Sequence, residues 1–179
     1  MSSKNNPTLK SCKVRVGVTI GDPSGIGPAV TLKAIKKLKD LADFVVIGDK
    51  WVLEQVPGIK YQARNIKVVD LNNVSRKNFE FGKIKSEYGR ASIEYLKKAL
   101  ELIKNKEIDC LVTAPISKEA IKRSGFKYSG HTEFLSRHTH CLDYVMMLLN
   151  KRLKFSLATR HISIKDVPRK LKKVNLAKT

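Results

Sequence analysis

Apolar, strand-like runs alternate with helix-like segments along the chain, and this alternation restricts the fold more than any other feature. Most of these runs are continuously apolar, which is typical of strands buried on both faces. The pattern therefore predicts an α/β fold, in which helices cover both faces of a parallel sheet. The predicted strands are Val14–Ile20, Phe44–Ile47, Ile66–Asp70, Cys110–Ala114, Tyr144–Leu149 and Phe155–Thr159.

Helical patterns lie between these strands. Pro28 suits the first turn of a helix that continues to Leu38. Ser86 is a candidate N-cap for a long helix that ends at Lys104. Shorter helices are predicted at Trp51–Val56, Ser117–Arg123 and Phe134–Leu142, whereas Leu71–Lys85 has no clear period and predicts an irregular excursion.

Ligands of parallel sheets bind beyond the carboxyl ends of the strands. The loops expected there are Gly21–Pro28, Ala114–Lys118 and Arg160–Ile162. The first is rich in glycine, but its spacing is not that of a nucleotide-binding fingerprint. Asp22 in this loop is either a functional carboxylate or a residue that stabilises the turn. Lys118 is either an anion ligand or a surface lysine.

The run Ser129–Phe134 places glycine, histidine, threonine and glutamate where a loop becomes a helix. Thr132 is the expected N-cap, and Glu133 lies in the favourable first turn. Such a helix start can hold an anionic, phosphate-bearing ligand beside His131. The alternative is a capped helix with a surface histidine.

The other histidines separate into two groups. His161 follows the strand Phe155–Thr159, which makes it a metal-ligand candidate, although a catalytic site of the zinc type needs about three protein ligands. His138 and His140 lie on or after a helix without a paired carboxylate, and we interpret them as structural.

Composition restricts the class of protein further. The formal net charge is +20, from 36 Lys and Arg against 16 Asp and Glu, yet few aromatic residues lie among the lysines and no nucleic-acid motif occurs. We therefore expect a solvated basic surface rather than a nucleic-acid interface. No apolar run is long enough to span a membrane, and Met1–Lys13 lacks the apolar centre of a signal peptide. Three widely spaced cysteines, Cys12, Cys110 and Cys141, fit a reducing cytoplasm.

Six short motifs follow one another in a fixed order and cover nearly the whole chain after Lys13. They are Thr19–Pro28, Glu87–Ser92, Val112–Ala120, Gly130–Leu135, Val145–Leu148 and His161–Pro168. Each is a weak signal alone, but all six in register form a strong one. With them the chain resembles the NAD-dependent 4-hydroxythreonine-4-phosphate dehydrogenases of vitamin B6 biosynthesis. One departure is Ala29, where the family usually has an acidic residue.

The resemblance implies a three-layer α/β/α fold of two lobes, related to the isocitrate and isopropylmalate dehydrogenases, and a homodimer. It implies that His131 and Thr132 bind a phosphorylated substrate and that His161 is a ligand of a divalent cation such as Zn, Mg or Co. The implied reaction is oxidation of 4-phosphohydroxy-L-threonine by NAD or NADP, followed by decarboxylation, within pyridoxal phosphate biosynthesis.

The family chain is nearly twice as long, so the resemblance implies that this chain is a fragment or one half of the enzyme, with a C-terminal half as a partner. The expected organisation is a flexible N-terminus at 1–13, a first α/β lobe at 14–128 and the start of an incomplete second lobe at 129–179. Two alternatives stay open. One is an inactive fragment that acts as a basic binding protein, and the other is a dehydrogenase for a related four-carbon phosphorylated hydroxy acid.

Overall fold

The computed structural model describes residues 13–59, 66–128, 130–141, 143–159 and 162–171. The predicted flexible N-terminus lies outside these residues except for Lys13. The chain divides into two compact units, Met1–His131 and Thr132–Thr179, which are described separately below.

A four-stranded parallel sheet forms the centre of the first unit, as predicted from the continuous apolar runs. Its strand order is β3-β2-β1-β4. The strands pair in register, so that Val18 lies between Val46 of β2 and Val112 of β4. The strands are β1 (Arg15–Thr19), β2 (Asp43–Gly48), β3 (Lys67–Asp70) and β4 (Cys110–Thr113).

Four helices accompany this sheet, which confirms the α/β class. They are α1 (Gly27–Leu38), α2 (Lys50–Glu54), α3 (Ser86–Lys104) and α4 (Lys118–Arg123). Pro28 lies in the first turn of α1, as predicted. The N-cap of α3 is Lys85 and no side chain caps this helix, so the prediction that Ser86 is the cap is wrong. Ser86 is already helical and therefore cannot cap.

The long helix α3 supplies much of the core. It contacts β1, β2 and β4, and its Tyr95, Leu96 and Ala99 are fully buried. From the sheet side, Val46 and Ile47 are equally inaccessible to water. Burial of each large aliphatic side chain contributes about 1.5–3 kcal/mol, so the helix and the central strands form the stable centre of this unit.

Strand β4 is more exposed than its sequence predicts. Cys110 is exposed and Val112 is 52% exposed, whereas we expected a buried strand. The reason is its position as the last strand in the sheet order, with a neighbouring strand on one side only in the part of the chain that the structure describes.

The second unit contains a hairpin that departs from the predicted pattern. Strands β5 (Met146–Leu149) and β6 (Lys154–Leu157) pair in antiparallel fashion and form a separate two-stranded sheet. The prediction of parallel strands is wrong here because residues 150–153 are too short a connection. A parallel crossover needs about a dozen residues or more.

Two helices complete the described part of the second unit. Helix α5 (His131–His138) starts at the last residue of the first unit, and α6 (Val167–Leu171) follows a 3-10 turn at Ile164–Asp166. Among the described residues, no helix is both long enough and apolar enough to cross a membrane.

Candidate functional site

The strand order places a reversal between β1 and β4. The chain passes from β1 through β2 to β3 on one side and returns to β4 on the other side of β1. In open parallel sheets, ligands bind in the crevice outside the carboxyl ends of the strands at such a reversal. The candidate site is therefore formed by the loops that follow Thr19 and Thr113.

These two loops are in direct contact. The backbone N–H of Asp22 donates to the carbonyl of Pro115 at 2.9 Å. Gly21 has a φ of +71°, and a Cβ added there would lie 2.2 Å from the same carbonyl oxygen. A residue without a side chain is required at this position, both for the left-handed backbone and for the close approach.

Asp22 is directed back into its own loop. It is 6% exposed, and its Oδ1 accepts hydrogen bonds from the backbone N–H of Ser24 at 2.9 Å and from the Ser24 hydroxyl at 3.1 Å. The same hydroxyl lies 2.6 Å from the carbonyl of Lys83. Burial raises the pKa of the Asp22 carboxyl, and the hydrogen bonds from Ser24 oppose that shift only in part. Of the two predicted roles, these contacts show the turn-stabilising one.

His131 lies at the end of β4. Its ring forms a hydrogen bond with the backbone of Ala114, and Ala114 donates its N–H to the Thr19 carbonyl at 3.0 Å. Burial lowers the pKa of His131, while the hydrogen bond with Ala114 acts in the opposite direction. The imidazole is therefore held at the ends of β1 and β4 in an environment that favours its neutral form.

The second ring nitrogen of His131 has no partner. Nε2 is buried and makes no hydrogen bond to any described residue. In a neutral imidazole one nitrogen donates and the other accepts, and Nε2 has no partner for whichever role it carries. A buried polar atom without a partner requires an explanation, and a bound ligand is one such explanation. This atom distinguishes His131 from the surface histidine of the alternative interpretation.

Two further predictions concern α5. Thr132 is half-buried inside the first turn of a helix that begins at His131, so the prediction that Thr132 is the N-cap is wrong. Glu133 does lie in that first turn. The Nδ1 of His138 forms a hydrogen bond with the Phe134 carbonyl at 2.9 Å, and the two side-chain rings stack. These contacts agree with a structural role for His138.

The predicted metal ligand cannot be placed. His161 lies outside the described residues, and within the described ranges no group of three or more His, Cys, Asp or Glu side chains could hold a metal ion. Lys118 is exposed at the start of α4, so its position agrees with the surface alternative.

One buried carboxyl near the sheet was missed by the sequence reasoning. Asp49 directly follows β2 and is fully buried, where its Oδ2 accepts from the Tyr95 hydroxyl at 2.5 Å and its Oδ1 accepts from the Val74 N–H at 3.1 Å. Burial raises the pKa of this carboxyl. The available signal was an aspartate placed directly after an apolar strand.

The sheet, its reversal and the two joined loops define a doubly wound α/β protein with a candidate ligand site at the switch point. The chain belongs to the family of the pyridoxal phosphate biosynthetic protein PdxA, whose family model matches residues 18–179.

Individual relatives agree with this membership. The chain is 38% identical over 172 residues to a 4-hydroxythreonine-4-phosphate dehydrogenase of Sulfurihydrogenibium sp. (strain YO3AOP1), covering 89% of this chain and 53% of the relative. It is 33% identical to a Fusobacterium nucleatum protein provisionally named D-threonate 4-phosphate dehydrogenase, covering 86% and 52% of the two chains.

A solved structure shares the fold. The 4-hydroxythreonine-4-phosphate dehydrogenase of Klebsiella pneumoniae superposes with a TM-score of 0.78 at 26% identity, over 94% of this chain and 56% of that one. The chain therefore spans about half the length of the relatives that it matches.

Proposed function

We propose that this chain supplies the N-terminal, substrate-binding part of an NAD-dependent dehydrogenase. The proposed substrate is 4-phosphohydroxy-L-threonine, which is oxidised and decarboxylated within vitamin B6 biosynthesis. Family membership and the name of the Sulfurihydrogenibium relative support the reaction class. The reaction itself is a proposal for a protein that includes the rest of the family fold.

The observation that carries the proposal is the buried, unpartnered Nε2 of His131. The proposed substrate carries hydroxyl groups, and the unpartnered nitrogen of a neutral imidazole can accept a hydrogen bond from one of them or donate to it. Thr132, the next residue, can contribute its hydroxyl as a donor or an acceptor. We assign both residues to substrate binding.

The backbone around His131 has a positioning role in this proposal. Ala114 orients the imidazole, and the Thr19 carbonyl holds Ala114 in turn. The loop from Gly21 is locked against Pro115, so the histidine is supported by two strand ends rather than by a free loop. Preorganisation of this kind lowers the cost of substrate binding.

The proposed cofactors are NAD or NADP and a divalent cation, which is Zn, Mg or Co. His161 is the proposed metal ligand, but the described residues alone do not assemble a metal site. We propose that the C-terminal half supplies the remaining ligands, and we assign no step of the reaction to the metal.

Several wider features are proposed on the resemblance. They are a two-lobed fold related to isocitrate and isopropylmalate dehydrogenases, a first lobe at 14–128 and a second beginning at 129, a homodimer, and a C-terminal half as partner. The parallel sheet with its flanking helices supports the first of them. A cytoplasmic location is proposed from the cysteine usage.

A second candidate substrate has specific support. The Fusobacterium nucleatum relative carries the name of a D-threonate 4-phosphate dehydrogenase. That substrate is also a four-carbon phosphorylated hydroxy acid, and the contacts of His131 do not discriminate between the two. The non-catalytic alternative, a basic binding protein, has the +20 charge as its support.

The test is an assay of NADH formation with both substrates. The purified chain is measured alone and together with the C-terminal half of the Sulfurihydrogenibium relative, supplied as a separate polypeptide. We expect turnover in the mixture and its loss in His131→Ala. Absence of turnover with either substrate, together with absence of substrate binding to the chain by calorimetry, would contradict the proposal. A salt-sensitive shift of DNA or RNA under those conditions would favour the basic binding protein.

A further inference from the structure

A cavity with aromatic walls is lined by residues other than those of the candidate site at the β1–β4 switch point. It has a volume of about 410 Å³ and is lined by Trp51, Glu54 and Gln55 from α2 and its end, and by Arg76, Phe79 and Phe81. Since α2 follows β2 and the irregular segment at 71–85 follows β3, the cavity lies beside the carboxyl ends of the two strands on the other side of β1. Its size is in the range of about 300–1,000 Å³ that small-ligand sites occupy.

The aromatic walls are held rigidly. Phe79 meets Trp51 and Phe81 edge to face, each at a centroid distance of 4.9 Å, and it meets Tyr88 in the same way at 5.6 Å. Trp51 and Tyr88 belong to the hydrophobic core, whereas Phe79 and Phe81 are half-buried. The core thus fixes the inner rings, and the two phenylalanines keep aromatic surface open to the cavity. Flat rings bind such surfaces by offset or edge contacts.

The rim of the cavity is polar and includes the Arg76 side chain. The Arg76 guanidinium carbon lies 5.8 Å from the centroid of the Trp51 ring, which orients the side chain. No ion pair joins Arg76 to a carboxylate within the described part of the chain. Its guanidinium donors are therefore available to a carboxylate or a phosphate, which they can bind through two parallel hydrogen bonds. Glu54 and Gln55 are exposed at the same rim and can accept from an amino or hydroxyl group of a ligand.

We propose that this cavity binds a small planar aromatic anion, with its ring against Phe79 and Phe81 and its carboxylate or phosphate on Arg76. Two sources share this chemistry, namely aromatic acids and nucleoside monophosphates. The proposal does not depend on the dehydrogenase reaction, because its residues are separate from His131 and Thr132.

The chain contains a single tryptophan, so its fluorescence reports on this cavity directly. AMP and 4-hydroxybenzoate are titrated into the full chain, with correction for ligand absorption. We expect saturable quenching of Trp51 by at least one of them in the micromolar to millimolar range. Ribose 5-phosphate lacks the ring and adenosine lacks the anion, and each should bind about tenfold more weakly than AMP if AMP is the ligand. Quenching by AMP alone assigns a nucleotide, and quenching by 4-hydroxybenzoate alone assigns an aromatic acid.

Variants test the contributions of the Arg76 cation and of the Phe81 ring to binding separately. Arg76→Gln should weaken binding about tenfold or more, whereas Lys77→Gln, an equal loss of charge at the next position, should leave it nearly unchanged. Phe81→Leu keeps an apolar wall without the ring and should weaken binding while the far-UV circular dichroism and melting temperature report its folding. His131→Ala should bind as the unmodified chain does. The proposal is overturned if neither ligand quenches Trp51, if ribose 5-phosphate binds as tightly as AMP, or if Arg76→Gln and Lys77→Gln behave alike.

Discussion

Asp22 and Pro115, which are far apart in sequence, are joined by a hydrogen bond of 2.9 Å from the Asp22 N–H to the Pro115 carbonyl. This bond connects the loop after β1 to the loop after β4, the two strands that flank the switch point. Because His131 is held by Ala114, the residue before Pro115, the bond links the glycine-rich loop to the candidate ligand-binding nitrogen. The glycine-rich loop and the motif that begins at Gly130 therefore meet at the same edge of the sheet.

The first prediction concerns Gly21, which makes that contact possible. Gly21→Ala would place a Cβ 2.2 Å from the Pro115 oxygen at a φ of +71°, so the loops must separate. We expect a loss of about 2–4 kcal/mol in the free energy of unfolding, measured with urea. Gly58→Ala is the matched control, because Gly58 has a φ of +69° and open space around it, and it should lose only about 1 kcal/mol. Equal losses in the two variants would show that the loop contact contributes nothing.

Local patterns predicted much of this fold. The strands β1, β2 and β3 and the helices α1 and α3 came from runs and periods that neighbouring residues define. The relative direction of the strands was harder to predict. The antiparallel pairing of β5 with β6 depends on the short connection at 150–153 rather than on the sequence of either strand. The position of Gly21 against Pro115 depends on which strands become neighbours. The loop composition signalled a site, but it did not specify that contact.

The candidate site was also predicted only in part, because some of its contacts join residues that are far apart in sequence. His131 stood out through its neighbours in sequence, whereas its bond with Ala114 and its orphaned Nε2 arise only in the folded chain. The buried position of Asp49 was missed because its partner, the Tyr95 hydroxyl, is far away in sequence. Ser86 and Thr132 were both assigned as caps by residue type, but α3 starts at Ser86 itself and α5 starts at His131, one residue before Thr132.

The second prediction compares Ser117, which caps α4, with Ser86, which does not cap α3. The Ser117 hydroxyl accepts the Ala120 N–H at 3.2 Å, so Ser117→Ala should destabilise the protein by about 1 kcal/mol. Ser86→Ala removes a hydroxyl that caps nothing and should change stability by less than about 0.5 kcal/mol. Urea unfolding of both variants checks this, and a larger loss at Ser86 than at Ser117 would contradict the assignment.

The third prediction concerns the pH dependence caused by Asp49. Its pKa is raised above the ordinary value of 3.8, so the folded state binds the carboxyl proton more tightly than the unfolded state does. The resulting contribution to stability is present below pH 3.8 and is lost as the pH rises through the folded pKa. Asp49→Asn cannot titrate. Its stability relative to the unmodified chain should therefore improve from acid to neutral pH, as denaturant unfolding at several pH values will show.

A control for this prediction separates charge from hydrogen bonding. Asp49→Ala also removes the titration, but it leaves the Tyr95 hydroxyl and the Val74 N–H without their acceptor. Each unsatisfied buried donor costs about 1–3 kcal/mol, so this variant should be less stable than Asp49→Asn at every pH. If Asp49→Asn showed the same pH dependence as the unmodified chain, the buried carboxyl would not be its source.

The last prediction concerns the protonation of His131. Burial lowers its pKa below 6.5, so the folded state favours the neutral ring and its stabilising contribution is complete above pH 6.5. That contribution is lost as the pH falls from 6.5 through the folded pKa. Nitrogen NMR of the labelled chain should show a neutral His131 ring at neutral pH and a protonation midpoint below 6.5. His138, which is bonded through Nδ1 to Phe134, serves as an internal comparison in the same spectrum. A His131 ring that is protonated at neutral pH would contradict this prediction, because burial would then not govern its pKa.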